Sequence, residues 1–152
     1  MSKIYSIVYQ PEDKKYDDRM VDFIREPLQQ ATLVADHGIK GDAKAGRNRS
    51  RQLNILSLEW LENLKTKGYR TEPGEFGEQI IVQDLEVEQL TPGDQLQIGE
   101  SATIEITKAR TGCERLEAAQ GHSNEAFGGF VGMLAKVVAS GEIFVGSTVQ
   151  KV

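Results

Sequence analysis

Residues 3 to 9, KIYSIVY, are dominated by β-branched and aromatic side chains, which suit the pleated surface of a strand. Pro11 and the charged run EDKKYDD after it read as a turn or loop. Further strands are expected at ATLVA, residues 31 to 35, and at QLNIL, residues 52 to 56, where Leu53 and Ile55 alternate with polar neighbours. The period then changes. Leu58, Leu61 and Leu64 recur every third residue behind Ser57, with Glu59 and Glu62 early, Lys65 and Lys67 late, and Gly68 as a stop, and this pattern predicts a helix. A Gly and Pro loop, EPGEFGEQ, leads into the strand-like IIVQDLEV. Leu96 and Ile98 share one face of PGDQLQIG, residues 92 to 99, and Ile104 and Ile106 one face of ATIEITKA, 102 to 109; together they predict a hairpin. Two apolar runs in GMLAKVVASGEIFVGSTVQKV, parted by Ser-Gly, are expected to be antiparallel strands as well. Many short strands divided by glycine turns, with few helices, predict a mainly β fold with helical inserts, a closed or partly closed β-barrel.

At 152 residues the chain suits one core, so a single domain over residues 1 to 152 is expected. With 39% apolar and 27% charged residues it lies far from the composition of a disordered chain. The opening segment has too short an apolar run for a signal peptide or a spanning helix, which favours the cytoplasm and no membrane. A single cysteine forms no intrachain disulfide and suits a reducing compartment. The formal net charge of −5 argues against a general nucleic-acid binder. Locally the sign reverses: residues 40 to 51, KGDAKAGRNRSR, set Lys40, Lys44, Arg47, Arg49 and Arg51 against Asp42 alone, a local charge of +4.

The cysteine, Cys113, lies in TKARTGCERLEAAQG, where a strand-like run gives way to a helix-like one. Thr111 and Glu114 fit the Thr-x-x-Glu capping box, which predicts a helix from Gly112 to about Gln120, stopped by Gly121. Cys113 would then sit in the first turn, where unpaired N–H groups favour an anion. Arg110 and Arg115 act in the same direction and lower a thiol pKa, while Glu114 and Glu117 oppose them. Such a thiol serves as a nucleophile, a soft-metal ligand or a sulfur carrier; the competing reading is an ordinary buried cysteine.

Glycines 38, 41 and 46 let the backbone of GIKGDAKAGRNRSRQ turn inward while its cations gather around an anion such as phosphate. The spacing is not that of a P-loop. A solvated charged loop and an RNA contact through RNRSR are the alternatives, the second opposed by the acidic total and the lack of interleaved aromatics. Neither His37 nor His122 shares metal-ligand spacing with the cysteine. No Gly-x-Ser-x-Gly elbow, Rossmann fingerprint or iron–sulfur cysteine set is present.

In order and spacing, GIKGDAKAG, RQLNILS, PGEFGEQI, LTPGDQLQIGESATIEITKARTGC and GGFVGMLAKVVASGEIFVG resemble the MOSC domain, the family related to the C-terminal part of molybdenum cofactor sulfurases. The resemblance extends over roughly residues 3 to 150 and implies a β-barrel that takes a pterin-based molybdenum cofactor (molybdopterin), with Cys113 as its cysteine. It implies two roles. In one, Cys113 receives sulfur as a persulfide from a cysteine desulfurase, whose pyridoxal phosphate stays on that partner, and passes it to a molybdenum enzyme. In the other, the thiolate ligates molybdenum in a component that reduces N-hydroxylated substrates with electrons from separate proteins. Gly41 and Asp42 match the family's Gly-Asp, Arg51 and Gln52 its Arg-Gln, Phe76, Gly77 and Glu78 its Phe-Gly-Glu, and Arg110 and Cys113 its Arg-x-x-Cys. Lys44 stands where many members have His. The residues expected to hold the cofactor are therefore Gly41, Asp42, Lys44, Arg47, Arg49, Arg51, Gln52, Glu78 and Arg110, with Cys113 as nucleophile or metal ligand.

Overall fold

A computed structural model of the chain describes residues 1–127 and 129–152. Strand β1 (Lys3–Tyr9) leads to β2 (Glu26–Leu28), β3 (Gln30–Val34), β4 (Gly38–Ile39) and β5 (Leu53–Ser57). Helix α1 (Leu58–Lys65) follows, then β6 (Ile80–Gln83), β7 (Gln95–Ile98) and β8 (Ala102–Ala109), helix α2 (Glu114–Gln120), and β9 (Met133–Ala139), β10 (Gly141–Phe144) and β11 (Val149–Lys151). Eight strands form one sheet in the order β11-β7-β8-β9-β5-β6-β1-β2, and three form a second, β10-β3-β4. The fold is mainly β with helical inserts, as the spacing of the short strands predicts. The barrel is not closed. The lead into β11 meets the start of β1 through the Lys3–Thr148 bridge and the bond from Ile4 N to Ser147 O (2.9 Å), but β2 takes the rest of that edge. Among the described residues no helix is long and apolar enough to cross a membrane.

The predicted hairpin of β7 and β8 forms with Leu96 opposite Ile104, both buried. The two C-terminal runs are antiparallel strands as expected, but in different sheets: β9 pairs with β5 and β8, and β10 joins β3 of the second sheet. Two side contacts turn the chain there, Ala35 N donating to Ser140 Oγ (2.8 Å) and Gly141 lying so close to Ser101 and Ala102 that a Cβ would collide with them. Pro27 removes one backbone donor from β2, which a terminal strand tolerates. Every residue of β5 is buried because both its faces are covered. Leu53 and Ile55 enter the larger core with Ile4, Ile80 and Ile106, while Leu56 enters a smaller one with Leu61, Leu64, Phe76 and Leu116.

Helix α1 starts where its pattern predicts, with Ser57 Oγ accepting from Trp60 N at 3.3 Å. Helix α2 starts later than its sequence suggests. Cys113 is its N-cap, in extended conformation (φ −133°, ψ 170°), and no side-chain cap bond forms, so the Thr111 and Glu114 capping box is absent. Tertiary contacts outweigh that local preference. The β-ladder runs on through Arg110 N to Gly132 O (2.8 Å) and Val131 N to Arg110 O (3.0 Å), and Asn124 presses against Gly112 while donating to Cys113 O (3.1 Å). The predicted stop holds: Gly121 adopts the left-handed conformation at φ 72°. Leu116, fully buried, fixes α2 to the smaller core and with it the position of Cys113.

Candidate functional site

Asp42 organises the basic loop. Its buried carboxylate accepts from Gln10 N and Lys44 N, each at 3.1 Å, and from Gln79 Nε2 at 3.5 Å. Gly46 turns back at φ +74° with its N–H on His37 O (2.9 Å), so close to the imidazole that a Cβ would lie 2.9 Å from His37 Nδ1. Lys44, Arg47 and Arg51 are thereby directed to the wall of a cleft of about 390 Å³, and Cys113 opens into the same cleft. That volume lies within the range of small-molecule sites. The thiol is exposed rather than packed away, which removes the reading of an ordinary buried cysteine.

Arg110, the residue after β8, is 7% exposed and donates from Nη1 to Phe76 O at 2.6 Å. Burial lowers its pKa, against the pull of Cys113 and Glu78. Arg25 enters from the loop before β2 and is held by three carbonyls: Nη1 donates to Ile24 O (2.7 Å), Nη2 to Gly77 O (2.9 Å) and Nε to Glu78 O (3.2 Å). The Phe23 ring lies near both guanidiniums, its centre 5.5 Å from Arg25 Cζ and 5.8 Å from Arg110 Cζ. Arg115 completes the set, stacked on Tyr16 at 4.0 Å with Nη1 donating to Met20 O (3.2 Å).

The cleft thus gathers Arg25, Lys44, Arg47, Arg51, Arg110 and Arg115, and among its described lining residues there is no carboxylate. Lys44 registers the crowding: burial lowers its pKa first, then the charges of Arg25 and Arg47, with Asp42 pulling the other way. An anion bound between these groups would relieve their mutual repulsion.

Several expected site residues have other work. Gly41 lies on a separate groove with Tyr9, Glu12 and Lys40. Asp42 is taken up by the loop, and Gln52 is buried with Oε1 accepting from Val137 N at 2.8 Å. Glu78, 1% exposed, accepts from Gly74 N (2.6 Å) and Phe76 N (3.2 Å), and burial raises its pKa against those bonds and against Arg25. It holds the turn whose carbonyls grip Arg110 and Arg25. Arg49 points away, paired with Asp36 at 2.7 Å, so the run RNRSR does not present its three arginines to one ligand. His122 stacks on Tyr69 with ring centres 4.5 Å apart, and among the described residues no group of three His, Cys, Asp or Glu side chains is placed to hold a metal.

Sequence reasoning did not find Arg25, Phe23, Asn54 or Gln79, all of which line the cleft. Arg25 and Phe23 lie in a stretch without periodicity, and nothing there distinguishes them. Arg115 was marked by its place two residues after the cysteine.

The family model for the MOSC domain matches residues 41–150. No characterised protein sequence matches the chain. Among solved structures, YiiM from Geobacillus stearothermophilus is 17% identical with a TM-score of 0.75, over 100% of this chain and 75% of that one. The YuaD protein of Bacillus subtilis is 19% identical with a TM-score of 0.75, over 98% and 94%. YiiM from Escherichia coli is 21% identical with a TM-score of 0.66, over 99% and 69%. At these identities the likeness carries the fold alone, while the family model covers most of the chain: this protein belongs to the MOSC domain family.

Proposed function

We propose that the cleft binds the phosphate-bearing pterin of the molybdenum cofactor and that Cys113 acts there as a sulfur carrier or as a sulfur ligand to the metal. The single observation behind this reading is the convergence of an exposed thiol and six cationic side chains on one cleft whose described lining has no carboxylate. That donor set fits the group: guanidiniums take phosphate oxygens in pairs, and a thiolate suits a soft metal. Arg47, Arg51 and Lys44 would hold the phosphate from the basic loop, with Arg25 and Arg110 fixed behind them. When bound, the cofactor supplies a redox-active metal centre; the chain supplies charge, orientation and one sulfur.

In the carrier role the Cys113 thiolate attacks the terminal sulfur of a persulfide on a cysteine desulfurase. One S–S bond forms as another breaks, the desulfurase thiolate leaves, and Cys113 holds a persulfide with no net redox change. Arg110 and Arg115 line the same cleft as the sulfur throughout the step. A molybdenum enzyme is the acceptor this reading implies, and pyridoxal phosphate stays on the donor.

The test is incubation with a cysteine desulfurase and sulfur-labelled cysteine. Label on the wild-type protein and none on Cys113→Ser supports the carrier role; no label on the wild type excludes it. The ligand role is read by molybdenum and pterin content after purification from a host that makes molybdopterin. Absence of both, together with no binding of added cofactor, excludes that role.

A further inference from the structure

Asn54, in β5, lies on the wall of the cleft and is 5% exposed. Its backbone is held from both directions by one residue, Asn54 N donating to Gln79 Oε1 (2.7 Å) and Gln79 N to Asn54 O (3.0 Å). Its carboxamide has no partner among the described residues: neither Nδ2 nor Oδ1 makes a hydrogen bond there, and both are closed off from solvent. Room for this arrangement comes from Gly132, where a Cβ would stand 2.6 Å from Asn54 Oδ1. A buried amide that makes none of its bonds opposes folding, and leucine has the same branched heavy-atom skeleton without a polar group to leave unpaired. The position therefore holds a group the free protein does not use, beside a cleft built for an anion.

We infer that the Asn54 carboxamide reads the ring of the bound ligand, pairing its N–H and C=O with an adjacent acceptor and donor on a heteroaromatic edge. This rests on the proposed cofactor reading, because a pterin presents such an amide edge while its phosphate meets the cations. Inorganic phosphate satisfies the cations and leaves Asn54 unpaired. To meet a ligand the amide would have to turn about its side-chain torsions toward the cleft, while the Gln79 bonds hold the Asn54 backbone. Asn54 thus sets ligand identity, and Arg47, Arg51 and Lys44 set its charge.

The experiment compares neopterin monophosphate with inorganic phosphate by calorimetry on wild type and Asn54→Leu, with thermal melts of both free proteins. The wild type is expected to bind neopterin monophosphate at least tenfold more tightly than phosphate. Asn54→Leu is expected to lose about tenfold toward the pterin, to keep its phosphate affinity and to melt at or above the wild-type temperature. In the wild type, the Asn54 side-chain N–H₂ resonances should shift on adding neopterin monophosphate and stay in place with phosphate, a readout that needs no variant. Unchanged pterin affinity in Asn54→Leu, or unmoved resonances, would overturn the inference and leave the cleft as an anion site with no role for the Asn54 amide. Wild-type binding of phosphate with no preference for the pterin would overturn the inference while the sulfur-label test of Cys113 stands on its own. Failure to bind either probe would overturn both the inference and the cofactor reading.

Discussion

Replacing Glu78 by Gln isolates the buried carboxylate on which the cleft rests. Two backbone donors, Gly74 N at 2.6 Å and Phe76 N at 3.2 Å, share its oxygens, and the same turn presents Phe76 O to Arg110 and Gly77 O to Arg25. Glutamine keeps one acceptor and turns an N–H₂ toward the other donor, leaving a buried N–H unpaired at a cost of about 1–3 kcal/mol. For a chain of this length that is a fall of roughly 2–12 °C in Tm. The pH dependence runs against intuition. Burial raises the Glu78 pKa, so between its unfolded and folded values the folded state holds the extra proton. The group's contribution is therefore fully present below about pH 4.3, the unfolded value, and is lost as pH rises through the folded one. The full penalty of Glu78→Gln should appear near pH 4 and shrink toward pH 7. Paired denaturant titrations of the two proteins at both pH values measure this, since the difference cancels the other carboxylates. A penalty that grows with pH would refute the reasoning, because it would mean that attraction to Arg25 and Arg110 outweighs burial.

Arg47→Ala and Arg51→Ala should each weaken phosphate binding, by a factor that shrinks as salt is raised, while Arg49→Ala, whose partner is Asp36, should leave it unchanged; calorimetry at two ionic strengths separates them. Gly77→Ala would set a Cβ 2.5 Å from Phe23 Cε1 at a residue with φ +73°, and should cost about 1–3 kcal/mol in denaturant titration and weaken phosphate binding through Arg25. Cys113→Ser should abolish sulfur labelling yet change stability by no more than about 0.5 kcal/mol, because the side chain is exposed; a larger loss would mean the sulfur is part of the packing.

Period and punctuation made most of the strands legible. The run KIYSIVY carries the residues of β1, the alternation of Leu96, Ile98, Ile104 and Ile106 gives the β7 and β8 hairpin, and Ser57 with the spaced leucines gives α1. Strands β2 and β4, at three and two residues, are too short to carry a period and owe their conformation to neighbours. The partner of β10 was illegible because apolar alternation fixes which face is buried and not which sheet is joined. Helix α2 starts after its capping pattern because a capping box is a local preference, and Asn124 with the extended β8 and β9 ladder overrides it. In the site, Cys113, Lys44, Arg47, Arg51 and Arg110 could be named from chemistry in short windows. Asp42, Gln52 and Glu78, named from the family resemblance, show another limit: a motif match does not separate residues that build the loop from residues that face the cleft, and only burial and hydrogen bonding do. Arg25 enters from a stretch remote from all of these, through hydrogen bonds to carbonyls 52 and 53 residues away.

Whether one cleft holds both a phosphate-bearing ligand and the Cys113 sulfur is read from the rate at which iodoacetamide alkylates the native protein, with and without neopterin monophosphate. Modification should be confined to Cys113 and slowed in proportion to occupancy by the pterin, with the slowing lost in an Arg47→Ala, Arg51→Ala double variant. A thiol that resists the reagent in the folded protein, or one alkylated at the same rate whether or not the ligand is bound, would contradict that shared cleft.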